Sequence, residues 1–139
     1  ISRKRSMNTN NKVIAVFAHD NITLKVCCSN EYYSFVLSDD QESVYYDMSI
    51  DESNIIRSMS NLTIERYAGF MKHKRYDSQN NVNYSEKIEF KPVINLLDKD
   101  DRNLNIKIRW KYGNHSTTYS IRLNTNQFKQ YQQLIKDEP

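Results

Sequence analysis

The chain has 139 residues and a mass of 16.6 kDa, with 38% hydrophobic residues, 27% charged residues and a net charge of +3. This length suits one ordinary domain, or two small repeats sharing a core, and excludes the barrel enzymes of about 250 residues. No stretch approaches the roughly 20 apolar residues of a membrane-spanning helix.

Residues 1–12 are polar and carry Arg3, Lys4 and Arg5 together, the composition of a flexible basic arm. Alternation with a period of two then sets in. Val13, Ala15 and Phe17 mark a first strand, and Ile22, Leu24 and Val26 a second. Tyr33, Phe35 and Leu37 mark a third, and Val44, Tyr46, Met48 and Ile50 a fourth. Asp20-Asn21, Ser29-Asn30 and Asp39-Asp40 separate them with residues suited to turns. Past Asp51, which is suited to an N-cap, Ile55, Ile56 and Met59 follow helical spacing and predict a short helix over 51–61.

Residues 62–85 read as a basic linker. Arg66, Lys72, Lys74 and Arg75 interleave there with Tyr67, Phe70 and Tyr76, ahead of a polar, Asn-rich stretch. Strand patterning then resumes over Ile88–Phe90, over Val93–Leu97 just after Pro92, over Ile106, Ile108 and Trp110, and over Tyr119, Ile121 and Leu123. Asn124 or Thr125 caps a closing helix with Phe128, Tyr131, Leu134 and Ile135 on one stripe. The two runs match at an offset of 73 residues: Phe17 with Phe90, Leu24 with Leu97, Phe35 with Ile108, Met48 with Ile121. The expected fold is therefore α+β. Two ββββα repeats, 13–61 and 86–139, form antiparallel four-stranded sheets with two helices in a pseudo-twofold arrangement. One such unit buries little apolar surface, so the pair should form one domain.

Charge divides unevenly, with a net of −2 over residues 1–64 and +5 over 65–139. The second half suits a polyanion. Lys107, Arg109 and Lys111 alternate with Ile106, Ile108 and Trp110 and so project from one face of a strand. Ser120 and Arg122 project the same way from the next strand, with Tyr112 and Tyr45 as candidates for base stacking. Cations that track a phosphate backbone beside aromatic faces bind single strands. The other reading of this face is the solvated outside of an antiparallel sheet. The basic linker has two readings as well: a clamp on a nucleic-acid strand or a nuclear-localisation patch, against a charged crossover whose Tyr67, Phe70 and Met71 pack on the core.

Catalysis finds no motif. His19, His73 and His115 are isolated, and glycine-rich phosphate loops and nucleophile elbows are missing. The chain is read as a non-enzyme without cofactor or metal. Asp98, Asp100 and Asp101 read as solvated turn charges, since calcium loops need more oxygen ligands at fixed spacing. Cys27 and Cys28 are adjacent and would point to opposite faces of a strand, so they suit small buried thiols in a reducing compartment. The four Asn-x-Ser/Thr sequons, at Asn21, Asn61, Asn83 and Asn114, are the only argument for secretion.

Asn105-Ile-Lys-Ile-Arg-Trp-Lys-Tyr112, the strand Tyr119-Ser-Ile-Arg-Leu123 and the ending Leu123 to Ile135 resemble the positive cofactor 4 family of transcriptional coactivators and its Whirly and Pur-type relatives. The resemblance implies curved sheets from two ββββα units that bind single-stranded DNA, with Lys107, Arg109, Lys111 and Arg122 facing the nucleic acid. The acidic first repeat departs from that pattern, since Asp39, Asp40, Glu42 and Asp47 would repel a phosphate backbone. The expected function is non-enzymatic single-stranded DNA or RNA binding in replication or transcription, in a virus or a nucleus. The alternative is a virus-encoded protein that binds a host or virion protein. Expected partners are single-stranded nucleic acid and, through the first repeat, a second copy or another protein, with no membrane. A nuclear or cytoplasmic location fits better than secretion.

Overall fold

The computed structural model describes residues 12–30, 32–49, 62–67 and 84–137. They form eight strands and one helix: β1 (Lys12–His19), β2 (Ile22–Cys28), β3 (Tyr32–Ser38), β4 (Ser43–Ser49), β5 (Leu62–Tyr67), β6 (Tyr84–Ile94), β7 (Arg102–Tyr112), β8 (His115–Leu123) and α1 (Thr125–Asp137). Strand order follows chain order in two antiparallel sheets, β1-β2-β3-β4 and β5-β6-β7-β8. The molecule is thus mostly β.

The expectation of two ββββα repeats with two helices is overturned. The described residues hold a single helix, at the C-terminal end. The helix expected over 51–61 lies outside them. The second sheet also begins earlier than the patterning suggested. Its first strand, β5, comes from the segment read as a linker. The two strands expected at Ile88–Phe90 and Val93–Leu97 are one continuous β6, paired with β7 from Tyr84↔Tyr112 to Ile94↔Arg102. Pro92 does not break it. β5 pairs only as far as Phe90, so Pro92 lies where β6 has one neighbour, a position that tolerates a missing N–H.

The 73-residue offset consequently holds for part of the chain and fails for the rest. Phe35 and Ile108 are buried on third strands, and Met48 and Ile121 on fourth strands. Phe17, however, lies on the first strand of its sheet and Phe90 on the second of its own. Leu24 is wholly buried, whereas Leu97 is 98% exposed in the β6–β7 turn.

The inward rows of both sheets make one core. It joins Leu24, Tyr33, Phe35 and Tyr46 of the first sheet to Ile88, Phe90, Ile106, Ile108 and Trp110 of the second. Phe35 meets Phe90 edge-on, ring centroids 5.6 Å apart, and Tyr131 of α1 at 6.4 Å. Such pairs add to what area burial alone supplies. The Trp110 Nε1–H donates to the Tyr45 carbonyl at 2.8 Å, and the two rings meet at 5.1 Å. This hydrogen bond fixes β7 of one sheet against β4 of the other. Cys27 and Cys28 are both buried and are not joined in a disulfide. Cys28 belongs to the core, while Cys27 pairs with Ser34 in the neighbouring row.

Turns and caps follow local chemistry. Asp20 holds a φ of 55° between β1 and β2, a left-handed geometry that Asp and Asn tolerate better than most residues. Gly113 has a φ of 58° at the two-residue β7–β8 turn, as such hairpins require. Asp39 Oδ1 accepts from the backbone N–H of Gln41 and of Glu42, both at 2.8 Å, and so closes the β3–β4 turn. Asn124 caps α1 through a reciprocal pair. The Gln127 N–H donates to Asn124 Oδ1 at 2.9 Å, and the Asn124 N–H donates to Gln127 Oε1 at 3.0 Å.

Candidate nucleic-acid interface

In an antiparallel sheet, residues paired across strands share a face. Register therefore maps the outer face of the second sheet row by row. The row through Lys111 runs from Tyr67 on the edge strand β5 across Ser85 to Ser116. The row through Arg109 runs from Glu65 across Lys87 to Thr118. The row through Lys107 contains Thr63, Glu89 and Ser120. The next contains Lys91, Asn105 and Arg122. Lys107, Lys111, Lys91 and Arg122 are exposed, and Arg109 and Lys87 are half-buried. Six cations thus share these rows with two carboxylate residues, Glu89 on β6 and Glu65 on the edge strand β5.

Glu89 bridges two of these cations. Its Oε1 lies 3.4 Å from Lys87 Nζ and its Oε2 lies 3.7 Å from Lys107 Nζ. The Lys107 side chain nevertheless remains 50% exposed. A groove of about 700 Å³ crosses the Lys107 and Arg122 rows and continues onto the β1–β2 turn at His19–Ile22. Along that groove Thr63, Asn105 and Ser120 add neutral donors and acceptors to Lys91, Lys107 and Arg122.

The structure gathers Lys107, Arg109, Lys111 and Arg122 on this face and leaves both expected aromatics off it. Tyr112 has the phase of Trp110, on the opposite side of β7, because both stand an even number of residues from Ile108. Tyr45 is buried against Trp110 in the core. Arg66 pairs with Glu86, in the row of Trp110, so its register separates it from the Lys107 rows as well. Lys72, Lys74, Arg75 and Tyr76 lie outside the described residues. Lys87 and Lys91 were missed, although Lys87-Ile88-Glu89-Phe90-Lys91 alternates as clearly as β7 does. Ending the strand at Pro92 obscured how that face continues onto β7.

The acidic residues of the first half lie elsewhere. Asp39 and Glu42 flank the β3–β4 turn, where the Tyr119 hydroxyl donates to Asp39 Oδ2 at 3.1 Å and to Glu42 Oε2 at 3.3 Å. Tyr119 pairs with Ile108 and so belongs to the core side of β8. Partial burial, the hydrogen bond to Asp39 and the two negative charges push its hydroxyl from 10.0 up to about 12. The backbone N–H groups of Glu42 and Gln41 hold the Asp39 carboxyl below its ordinary value. Asp47 pairs with Ser34, on the first sheet. These carboxylates therefore do not share the Lys107 face. Among the described residues no three His, Cys, Asp or Glu side chains converge as a metal site requires, and no helix is long and apolar enough to cross a membrane. Compared with protein-family models, curated proteins and solved structures, the chain matches none of them.

Proposed function

We propose that this chain is a non-enzymatic, single-stranded DNA- or RNA-binding protein of replication or transcription that uses the outer face of its second sheet. The observation that carries the reading is the line Lys107, Arg109, Lys111 along β7, flanked on the same face by Lys87, Lys91 and Arg122. Alternate residues of a strand stand about 6.7 Å apart, close to the step between phosphates of an extended single strand. Each cation of the line can therefore meet a successive phosphate. Tyr45 and Tyr112 lie off the face and Tyr67 shares the row of Lys111 only at the edge strand, so phosphate contacts supply most of the affinity, with little sequence preference and a steep dependence on salt.

Fluorescence anisotropy with labelled single-stranded and duplex oligonucleotides across a salt series tests the reading. The single strand should bind more tightly than the duplex at low salt. An Arg109→Ala, Lys111→Ala double variant should bind at least about tenfold more weakly and flatten the salt slope by roughly 0.7 for each phosphate it no longer neutralises. A wild-type chain that binds neither oligonucleotide at low salt refutes the function. A double variant with unchanged affinity refutes the face.

A further inference from the structure

Every outward row of the second sheet crosses the seam between β7 and β8, and that seam is regular. Lys111 faces Ser116, and Arg109 faces Thr118. Lys107 faces Ser120, and in the next row the strands exchange roles, with Arg122 on β8 facing Asn105 on β7. Four consecutive outward rows thus pair one cation with one neutral hydrogen-bonding side chain. The seam between β6 and β7 lacks this order. There Arg109 faces a second cation, Lys87, and Lys107 faces the Glu89 carboxylate. Lys111 faces Ser85, which is only 5% exposed. On β8, by contrast, Ser116, Thr118, Ser120 and Arg122 are all exposed, and none is acidic.

A phosphodiester carries one negative charge shared by two free oxygens. Residues paired directly across strands hold their Cβ atoms about 5 Å apart, so a phosphate above one pair can meet both side chains. The cation neutralises its charge, and the hydroxyl or amide donates to its other oxygen. Both members of the Lys107 and Arg122 pairs line the groove of about 700 Å³. The seam is also bounded. Its register runs from Tyr112↔His115 to Leu104↔Leu123. Past the second end, Asp98, Asp100 and Asp101 of the β6–β7 turn outnumber Lys99 and repel a further phosphate.

We propose that the β7–β8 seam is a phosphate track for four successive phosphates of a single strand, whose bases turn away from the sheet. The proposal rests on the reading of this face as the nucleic-acid surface, and it adds Ser116, Thr118, Ser120 and Asn105 to the residues that bind. Stacking inward would need an aromatic ring beside the track. The outward positions of β6, β7 and β8 in the four rows hold none, and Tyr67 stands on β5, two strands from β7.

Fluorescence anisotropy with oligothymidylates of increasing length, each across a salt series, tests the track. The slope of log affinity against log salt should steepen with length and level off near roughly 3, about 0.7 for each phosphate held. A slope that still steepens at about twice the track length overturns the proposal. Ser116→Ala, Thr118→Val and Ser120→Ala together should weaken binding at least about tenfold and leave the salt slope unchanged, since no charge is removed. Ser120→Ala alone should weaken it about threefold. Far-ultraviolet circular dichroism should not change, because the three side chains are exposed. Ser116→Thr with Ser120→Thr keeps both hydroxyls and should bind as the wild type does. Thr63→Ala, at the β5 end of the Lys107 row, should have no effect. A loss there as large as that of the triple variant would lay the strand across the sheet and overturn the track. A 2-aminopurine at the centre of the oligonucleotide should keep or gain fluorescence on binding, and quenching overturns the outward-facing bases. A chain that binds single strands with full affinity in the triple variant refutes the track alone. A wild-type chain that binds no oligonucleotide refutes the function and the track together.

Discussion

Glu89 holds two of the six cations that the outer face of the second sheet offers to a polyanion. Its carboxylate competes with phosphate for Lys87 and Lys107. Removing the charge and keeping the shape, as in Glu89→Gln, should raise affinity for a single-stranded oligonucleotide several-fold and steepen the salt slope, since two lysines become available for counterion release. Equal affinity in the variant and the wild type would show that the groove at Lys107 is not where the strand lies. The buried Tyr131 hydroxyl makes the opposite point about polar groups. It has no hydrogen-bond partner among the described residues, and burial drives its ionisation far above the ordinary value. An unsatisfied buried hydroxyl costs roughly 1–3 kcal/mol. Tyr131→Phe should therefore stabilise the fold by about 1 kcal/mol, read as a higher urea midpoint with an unchanged slope.

At the scale of elements, α1 shows how far local chemistry reaches. The 3.6-residue stripe of Phe128 and Tyr131 and a capping residue at Asn124 or Thr125 were both legible in the sequence, and the structure chooses Asn124. Thr125 instead accepts the Arg102 N–H through its hydroxyl at 3.2 Å, a partner 23 residues away that no local rule reveals. Asn124→Ala should lower stability by about 1 kcal/mol in chemical denaturation. Gln127→Ala should cost a similar amount, because Gln127 Nε2 also donates to the Ala18 carbonyl on β1 at 3.1 Å. The strands were legible where one face is buried and the other wet, as along β7. They were misread where that contrast is interrupted. Pro92 suggested a strand end, and the basic residues around Arg66 suggested a linker, although a partner strand was waiting for each. The cationic line on β7 could be read from alternation alone. That Tyr45 turns into the core and Tyr112 to the other side depends on register and on the packing of two sheets, which composition does not carry.

At the scale of the whole molecule, Tyr119 couples the sheets to pH. The fold favours its neutral hydroxyl, which ionises at 10.0 in the unfolded chain and at about 12 in the folded one. Its contribution is complete below about 10 and is lost as pH climbs towards 12. Tyr119→Phe should flatten this alkaline loss, measured as the melting temperature between pH 9 and 12. Asp39 has the opposite sign. Its lowered folded value supplies stability above the ordinary carboxylate range and surrenders it as the solution is acidified. The order of strands along the chain has a consequence of another kind. Each sheet draws all its strands from one uninterrupted part of the sequence, β1 to β4 ending at Ser49 and β5 to β8 beginning at Leu62. Among the described residues, cutting the backbone between Ser49 and Leu62 severs no strand pairing. Two polypeptides expressed separately should therefore find each other and rebuild the core around Phe35, Phe90 and Tyr131. The single tryptophan, Trp110, would report the event through its emission as it docks on Tyr45.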